Sequence, residues 1–377
     1  MRVVVLGAGF GGLEVASGVA EQLGSEADVI VIDRTEGFVF GFSKLDVMFG
    51  HADAGAVLHR YADIARPGVR FVPATIESID PERRMVRTDA GTFEADVLVV
   101  ALGADIDPAA TPGLVEWGHE FYSEAGAFRL QRTLAETAGG DFVIGVTSTP
   151  FKCPPAPSEC ALLTHDLLTR RGLREQSTVS LVMPFDVPVP PSPEASRELL
   201  AAFEGCDIRW VPGQLVTSVD GSTSSVALSG GDAIPCDVFL GVPRHKAPDV
   251  VLKSGLADGG WIPVDPQTLL TCYPDVYAVG DVTSVGTPKA GVFAEGQAAV
   301  VAASIVARHS GREPELTYDG RGICYLEFGD GRVAEVDVTF ASGQAPHGTL
   351  VGPSADLRPH KADFGSSRIR RWFGHPA

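Results

Sequence analysis

The chain has 377 residues, room for two or three domains, and its 45% hydrophobic content and 43 glycines fit a large α/β core with many tight turns. A formal net charge of −18 argues against nucleic acid as a partner and against an electrostatic grip on anionic lipid. The six cysteines (153, 160, 206, 236, 272 and 324) are scattered, with no C-x-x-C and no His/Cys spacing for zinc, which argues against a disulfide framework and against a metal site.

The first predicted element is a short apolar strand, Val3 to Leu6, that enters Gly7-Ala8-Gly9-Phe10-Gly11-Gly12 and then a helical pattern from Leu13 to Leu23. This is G-x-G-x-x-G between strand and helix. Gly7 makes the tight turn, Gly9 admits a pyrophosphate to the backbone, and Gly12 lets helix and strand pack closely, with Gly11 in the same loop. The phosphates then meet the positive helix N-terminus. A second strand, Val29 to Ile32, ends in Asp33-Arg34, with Asp33 about 20 residues beyond Gly12, where an acid accepts hydrogen bonds from a ribose. Val69 to Val72, Thr75 to Ile79 and Met85 to Thr88 are predicted as short strands of a hairpin-type insert, with turns at Asp80-Pro81 and Ala90-Gly91. Asp96 to Ala104 is a buried strand whose end carries Ala101 and Gly103, and Pro108, Pro112 and Gly113 mark a crossover.

A second α/β region follows, with strands Phe142 to Val146, Val179 to Met183 and Ile208 to Val211 and a proline-rich loop from Pro184 to Pro193. Where a second glycine fingerprint would open, Gly145 is followed by Thr147-Ser148-Thr149-Pro150, which can neither make the turn nor admit a pyrophosphate in the same way. Tight nicotinamide-dinucleotide binding is not expected there. Phe151-Lys152-Cys153-Pro154-Pro155-Ala156-Pro157-Ser158-Glu159 comes next. The prolines are expected to hold this stretch extended, with Ser158 as N-cap of a helix that buries Leu162, Leu163, Leu167 and Leu168. A cysteine on a stiff loop ahead of a helix N-terminus is expected to favour the nucleophilic thiolate. Glu159 is either a proton carrier beside that cysteine or a first-turn acid favoured by the helix dipole, and Cys160 reads as core.

The chain returns to the first region near residue 262. Val276 to Asp281 is a buried strand ending in Gly280-Asp281, and a helix is expected from Lys289-Ala290-Gly291 through the apolar run Ala298 to Val306. Ile323 to Phe328 and Arg332 to Phe340 flank Asp330-Gly331, a hairpin signal. Arg368 to Gly374 is basic and aromatic, expected to pack as a terminal helix or at most to touch a membrane peripherally. No signal peptide and no run of 18 apolar residues is read, so the expected location is cytoplasmic.

The strands ending in Gly103-Ala104 and Gly280-Asp281, with the glycine loop, resemble the FAD motifs of the pyridine nucleotide-disulfide oxidoreductase superfamily. Lys152-Cys153-Pro154-Pro155-Ala156-Pro157-Ser158-Glu159 resembles the signature of flavocytochrome c sulfide dehydrogenase flavoproteins and sulfide:quinone oxidoreductases, with Ser158 in place of the usual tyrosine. The resemblance implies an α/β fold of two Rossmann-like domains, glutathione-reductase-like with the second one degenerate, plus a small α+β C-terminal module. The expected boundaries are 1–108 with 262–317 for the FAD domain, 109–261 for the second domain and 318–377 for the module. The resemblance implies FAD, with Asp281 on its ribityl chain and the helix after Gly291 pointing at the ring. No cysteine precedes Cys153, so no early thioether site exists and the FAD is expected to be non-covalent. Lys289 is expected either to offset charge on reduced flavin or to lie at the surface. The resemblance also implies Cys324, before Tyr325, as redox partner of Cys153. Sulfide would attack their disulfide, leave a persulfide and a thiolate, and send two electrons through FAD to a quinone or a separate cytochrome. A related small thiol as substrate and a homodimer both stay open, as do a type II NADH:quinone dehydrogenase and a non-catalytic flavin electron carrier.

Overall fold

A computed structural model describes residues 1–374. β1 (Arg2–Leu6) leads through the glycine loop into α1 (Phe10–Leu23) and then β2 (Asp28–Asp33). α2 (Gly41–Met48) precedes β3 (Val69–Pro73), an antiparallel meander of β4 (Ile76–Asp80), β5 (Met85–Thr88) and β6 (Gly91–Glu94), and then β7 (Val97–Val100). The middle of the chain carries α3 (Glu124–Glu136), β8 (Gly140–Val146), α4 (Ala156–Arg170), β9 (Ser177–Val182), β10 (Ile208–Val211) and β11 (Val238–Val242). Last come β12 (Val276–Ala278), α5 (Gly291–His309), the antiparallel strands β13 (Arg321–Glu327), β14 (Val333–Thr339) and β15 (His347–Ser354), and α6 (Arg358–Phe373).

Two parallel five-stranded sheets dominate. The first has the order β12-β7-β1-β2-β3, the second places the short strand His119–Glu120 beside β11, then β8, β9 and β10. Val3, Val4, Val5, Leu6 and Val99 are fully buried, as strands covered on both faces must be. The architecture is therefore the expected one: two doubly wound α/β layers and a smaller α+β module. β12 reaches the edge of β7 only after the whole second sheet has been built between them in the chain.

The structure departs from expectation in three local places. Val69 to Val72 belongs to no hairpin insert. It lies in β3, which pairs in parallel with β2 from Val29↔Val69 to Asp33↔Pro73, and the antiparallel unit is β4-β5-β6 alone. Val29 N–H donates to Gly68 O, with Gly68 at φ +83°, so the turn before the strand feeds it into the sheet. β15 is a third strand beside the predicted terminal hairpin. Ser158 is not an N-cap. Pro155 already has helical angles (φ −73°, ψ −21°) and α4 starts at Ala156, because a proline's fixed φ suits a first helical turn. Ser158 is instead buried inside the helix, its hydroxyl without a hydrogen-bond partner among the described residues.

Helices α1 and α5 pack at small residues, where a Cβ on Gly18 would lie 2.9 Å from that of Ala302. α5 has the length and apolar content of a membrane-crossing helix, but 56% of that stretch is buried in the protein and it reads as a core helix. α6 closes over the first layer. Buried Glu14 accepts hydrogen bonds from Arg371 Nη2 (2.9 Å) and Trp372 Nε1 (2.8 Å), and Trp372 and Phe373 are each 1% exposed. The aromatic end of the helix is thus turned inward, while Arg370 and Arg371 keep about 40% of their side-chain surface exposed.

Candidate functional site

A cavity of about 310 Å³ opens where the first sheet, α4 and the terminal module meet. The glycine loop forms one end. Gly12 is fixed by sterics, since a Cβ there would overlap the Gly7 carbonyl oxygen, and one on Gly11 would stand 2.8 Å from Val279 Cγ2. Gly9, by contrast, has nothing within 4 Å of an added Cβ and lines the cavity. α1 opens with no side-chain cap and no acid in its first turn, which leaves its first N–H groups for an outside acceptor. α5 opens the same way, and Ala290 and Gly291 line the cavity too. Two uncapped helix ends facing one cavity suit a diphosphate and the electron-rich edge of a reduced ring. The residues present fit FAD.

The remaining predicted binding residues divide. Ala101, Gly103, Gly280 and Asp281 line the cavity. Gly7 and Gly12 hold the loop shape behind it. Asp33 is occupied by the loop, accepting from Ala8 N–H (2.8 Å) and Thr35 N–H (2.9 Å). Arg34 faces solvent in a 3.8 Å pair with Asp105. Lys289 turns away from the cavity: its ammonium donates to Asp281 O (2.6 Å) and Thr283 O (3.1 Å) and lies 3.3 Å from the centre of the Trp261 ring. Burial lowers its pKa to about 8 against the opposing pull of Asp281.

Cys153, Glu159 and Cys324 all line the same cavity, and both cysteines are free thiols. Cys153 holds a left-handed backbone (φ +48°), its N–H donates to Lys289 O (2.7 Å), and its carbonyl accepts from Ala156 N–H (2.9 Å). The loop is therefore pinned to the segment that starts α5. The expectation of a stabilised thiolate fails. Cys153 is open to the cavity yet crowded by protein elsewhere, and burial, then Glu159 and Cys324, push its thiol well above the usual range; the Ala156 N–H and Lys44 oppose this without prevailing. Burial, then Glu159, raises Cys324 to about 12. Burial thus favours the neutral form of both thiols, and a thiolate formed here is a poorly solvated, strongly donating one. Cys160 is fully buried, as core.

Burial also raises Glu159 to about 7 from an ordinary 4.5, with Lys361 and the Glu327 N–H pulling the other way. In the folded protein the protonated carboxyl is favoured, so its contribution to stability is complete below pH 4.5 and is lost as pH rises through about 7. Glu159→Gln is accordingly expected to unfold like wild type near pH 4.5 and to gain stability over it, on the order of 2 kcal/mol, near pH 8. Chemical denaturation at the two pH values measures this; equal stabilities at both would contradict it.

Sequence reasoning missed Lys44 and Tyr122. Lys44 lines the cavity, donates to Tyr122 O (2.6 Å), and has its pKa lowered to about 8 by burial and by Lys152. The Tyr122 hydroxyl reaches Cys153 O at 3.4 Å. Neither sits in a motif, and only the packing of α2 beside α3 brings them to the cysteine. The aromatic wall of Phe38, Phe42, Phe121 and Phe364 was likewise unread. Where a second fingerprint would lie, Thr147 binds Val242 O through both N–H and hydroxyl (3.0 Å each), so the backbone there is already engaged.

A family model described as pyridine nucleotide-disulphide oxidoreductase matches residues 1–304. The mitochondrial sulfide:quinone oxidoreductase of Mus musculus is 24% identical over 400 residues, spanning 100% of this chain and 88% of that protein. An NADH dehydrogenase-like protein of Mycobacterium tuberculosis is 37% identical over 147 residues, 37% of this chain and 36% of that one. Among solved structures, the sulfide:quinone oxidoreductase of Aquifex aeolicus superposes with a TM-score of 0.85 at 20% identity, covering 100% of this chain and 93% of that chain.

Proposed function

The chain belongs to the pyridine nucleotide-disulphide oxidoreductase family and is an FAD-dependent oxidoreductase, and from that footing we propose that it oxidises sulfide, or a related small sulfur compound, through Cys153 and Cys324 and passes the electrons to a quinone. The observation that carries this reading is the placement of two cysteines and a protonatable carboxyl on the wall of the cavity that also receives both uncapped helix ends. The full-length similarity to sulfide:quinone oxidoreductases supports the sulfur substrate and the quinone.

In the proposed cycle FAD, held non-covalently by the glycine loop, Gly103, Gly280-Asp281 and the start of α5, supplies a two-electron acceptor. The protein supplies the sulfur chemistry. Hydrosulfide attacks the oxidised Cys153–Cys324 pair; one sulfur–sulfur bond forms as another breaks, leaving a persulfide on one cysteine and a thiolate on the other. Burial makes that thiolate a strong donor. Glu159 takes the proton of the persulfide or of a cysteine thiol on the cavity wall, since its carboxyl changes state near pH 7. A second sulfide or another thiol takes the outer persulfide sulfur and leaves a second cysteine thiolate, and the two cysteine sulfurs re-form their bond as the two electrons would pass to FAD. Lys44 and Lys152, both on the cavity wall, draw anionic sulfur species in.

The test is an anaerobic titration of the FAD-loaded protein with sulfide, followed by its visible spectrum, with NADH in parallel. Sulfide is expected to bleach the flavin after a long-wavelength charge-transfer band appears. Bleaching by NADH with none by sulfide would overturn the proposal and put the protein with nicotinamide-linked quinone reductases.

A further inference from the structure

Behind Glu159 lies a buried cluster of charged side chains drawn from four elements. Glu159, on α4, accepts the Glu327 N–H at 3.0 Å with Oε1. The Glu327 carboxylate, at the end of β13, accepts a hydrogen bond from Lys361 of α6, whose side chain is 7% exposed. The Lys361 ammonium lies 4.9 Å from the centre of the Phe42 ring, itself on the cavity wall. Asp46, on α2, completes the group and feels Lys361, Glu327 and His51. The other titratable groups facing Glu159 are Cys153 on the redox loop, Cys160 on its own helix, Tyr122 ahead of α3 and Cys324 on β13. His51, exposed, meets Arg170 at 3.1 Å on the outer side.

Three carboxyls share one ammonium here. Full ionisation would leave uncompensated negative charge in a buried place, and the cluster avoids this by keeping a proton. Burial opposes the Lys361 charge, but Glu327, Asp46 and Glu159 together outweigh it and hold it protonated. Lys361 does not reach the cavity and touches no reacting atom. Its influence passes through Glu159.

We propose that Lys361 is a positioning residue for the redox site, its ammonium fixing the charge of the Glu159–Glu327–Asp46 cluster so that Glu159 gives up and takes back a proton beside the two cysteines instead of staying protonated. This rests on the reading of Glu159 as proton carrier. It makes the seating of the terminal helix a condition of proton exchange at a site built from other elements.

Infrared titration of the carboxyl bands of the FAD-loaded protein tests it, with Glu159→Gln identifying the Glu159 band. Lys361→Met is expected to raise the Glu159 midpoint by about one pH unit or more, because an attractive charge has gone. Lys361→Arg keeps it close to wild type. Glu327→Gln and Asp46→Asn are expected to lower it, because a repulsive charge has gone. A general loosening of the site would move all of these in one direction, so shifts of one sign, or none, overturn the proposal. Should Lys361→Met fail to fold, Lys361→Gln takes its place, with the same upward shift expected against the downward shifts of the other two. No sulfide enters the measurement: a normal set of shifts with no sulfide-driven bleaching would sink only the functional reading.

Discussion

Cys153→Ser is expected to fold, bind FAD and keep its flavin oxidised when sulfide is added without oxygen, a loss of about a thousandfold or more in the reduction rate. The fold should survive because the loop is held by main-chain bonds, Cys153 N–H to Lys289 O at 2.7 Å and Ala156 N–H to Cys153 O at 2.9 Å, which serine keeps. The chemistry should not, because a hydroxyl forms no sulfur–sulfur bond. Cys324→Ser should lose as much, since the exchange needs two sulfurs. Cys160→Ser supplies the contrast: that thiol is fully buried and off the cavity wall, so the rate should hold while stability falls. Stopped-flow absorbance on the three variants reads all of this. Wild-type rates in Cys153→Ser would leave the electron-carrier reading standing.

The second large effect separates two glycines of one loop. In Gly12→Ala the new methyl collides with the Gly7 carbonyl oxygen and comes within 3.3 Å of Val5 Cγ1, so backbone has to move. FAD affinity should fall about a hundredfold or more, and the apoprotein itself should lose roughly 2–4 kcal/mol. In Gly9→Ala the methyl meets no protein atom within 4 Å, so the apoprotein should melt as wild type does. It still occupies space that a pyrophosphate needs, and FAD affinity should fall without any change in apo stability. Flavin fluorescence quenching and apo thermal unfolding give the two numbers. Unimpaired FAD binding by Gly9→Ala would mean the phosphates lie elsewhere.

Legibility followed the range of the interaction. The glycine loop, Gly280-Asp281 and the cysteine loop were readable because each is a local demand on the backbone written in adjacent residues. Lys44, Tyr122 and Lys361 were not, because their role arises only when α2, the segment before α3 and α6 meet around one cavity. Val69 to Val72 misled for the same reason: its partner, β2, is remote in sequence, and a short β-branched run says nothing of parallel or antiparallel pairing. Ser158 failed on a competition between two local rules, a capping serine against a proline whose φ already suits a first turn, and the proline won. The thiolate expectation weighed a helix end without the desolvation that only packing reveals.

The late arrival of β12 also bears on how the chain is made. Val97–Val100 is fully apolar, and one of its edges is closed only by Val276–Ala278, about 175 residues downstream. At roughly 5–20 residues per second of synthesis, that edge stays open on the ribosome for somewhere between about ten and forty seconds. An unpaired, flat, hydrophobic strand edge is a template for pairing with another nascent chain. Truncations that stop short of Val276 therefore carry the hazard permanently, and the full chain escapes it only when its second sheet has emerged and the first can close.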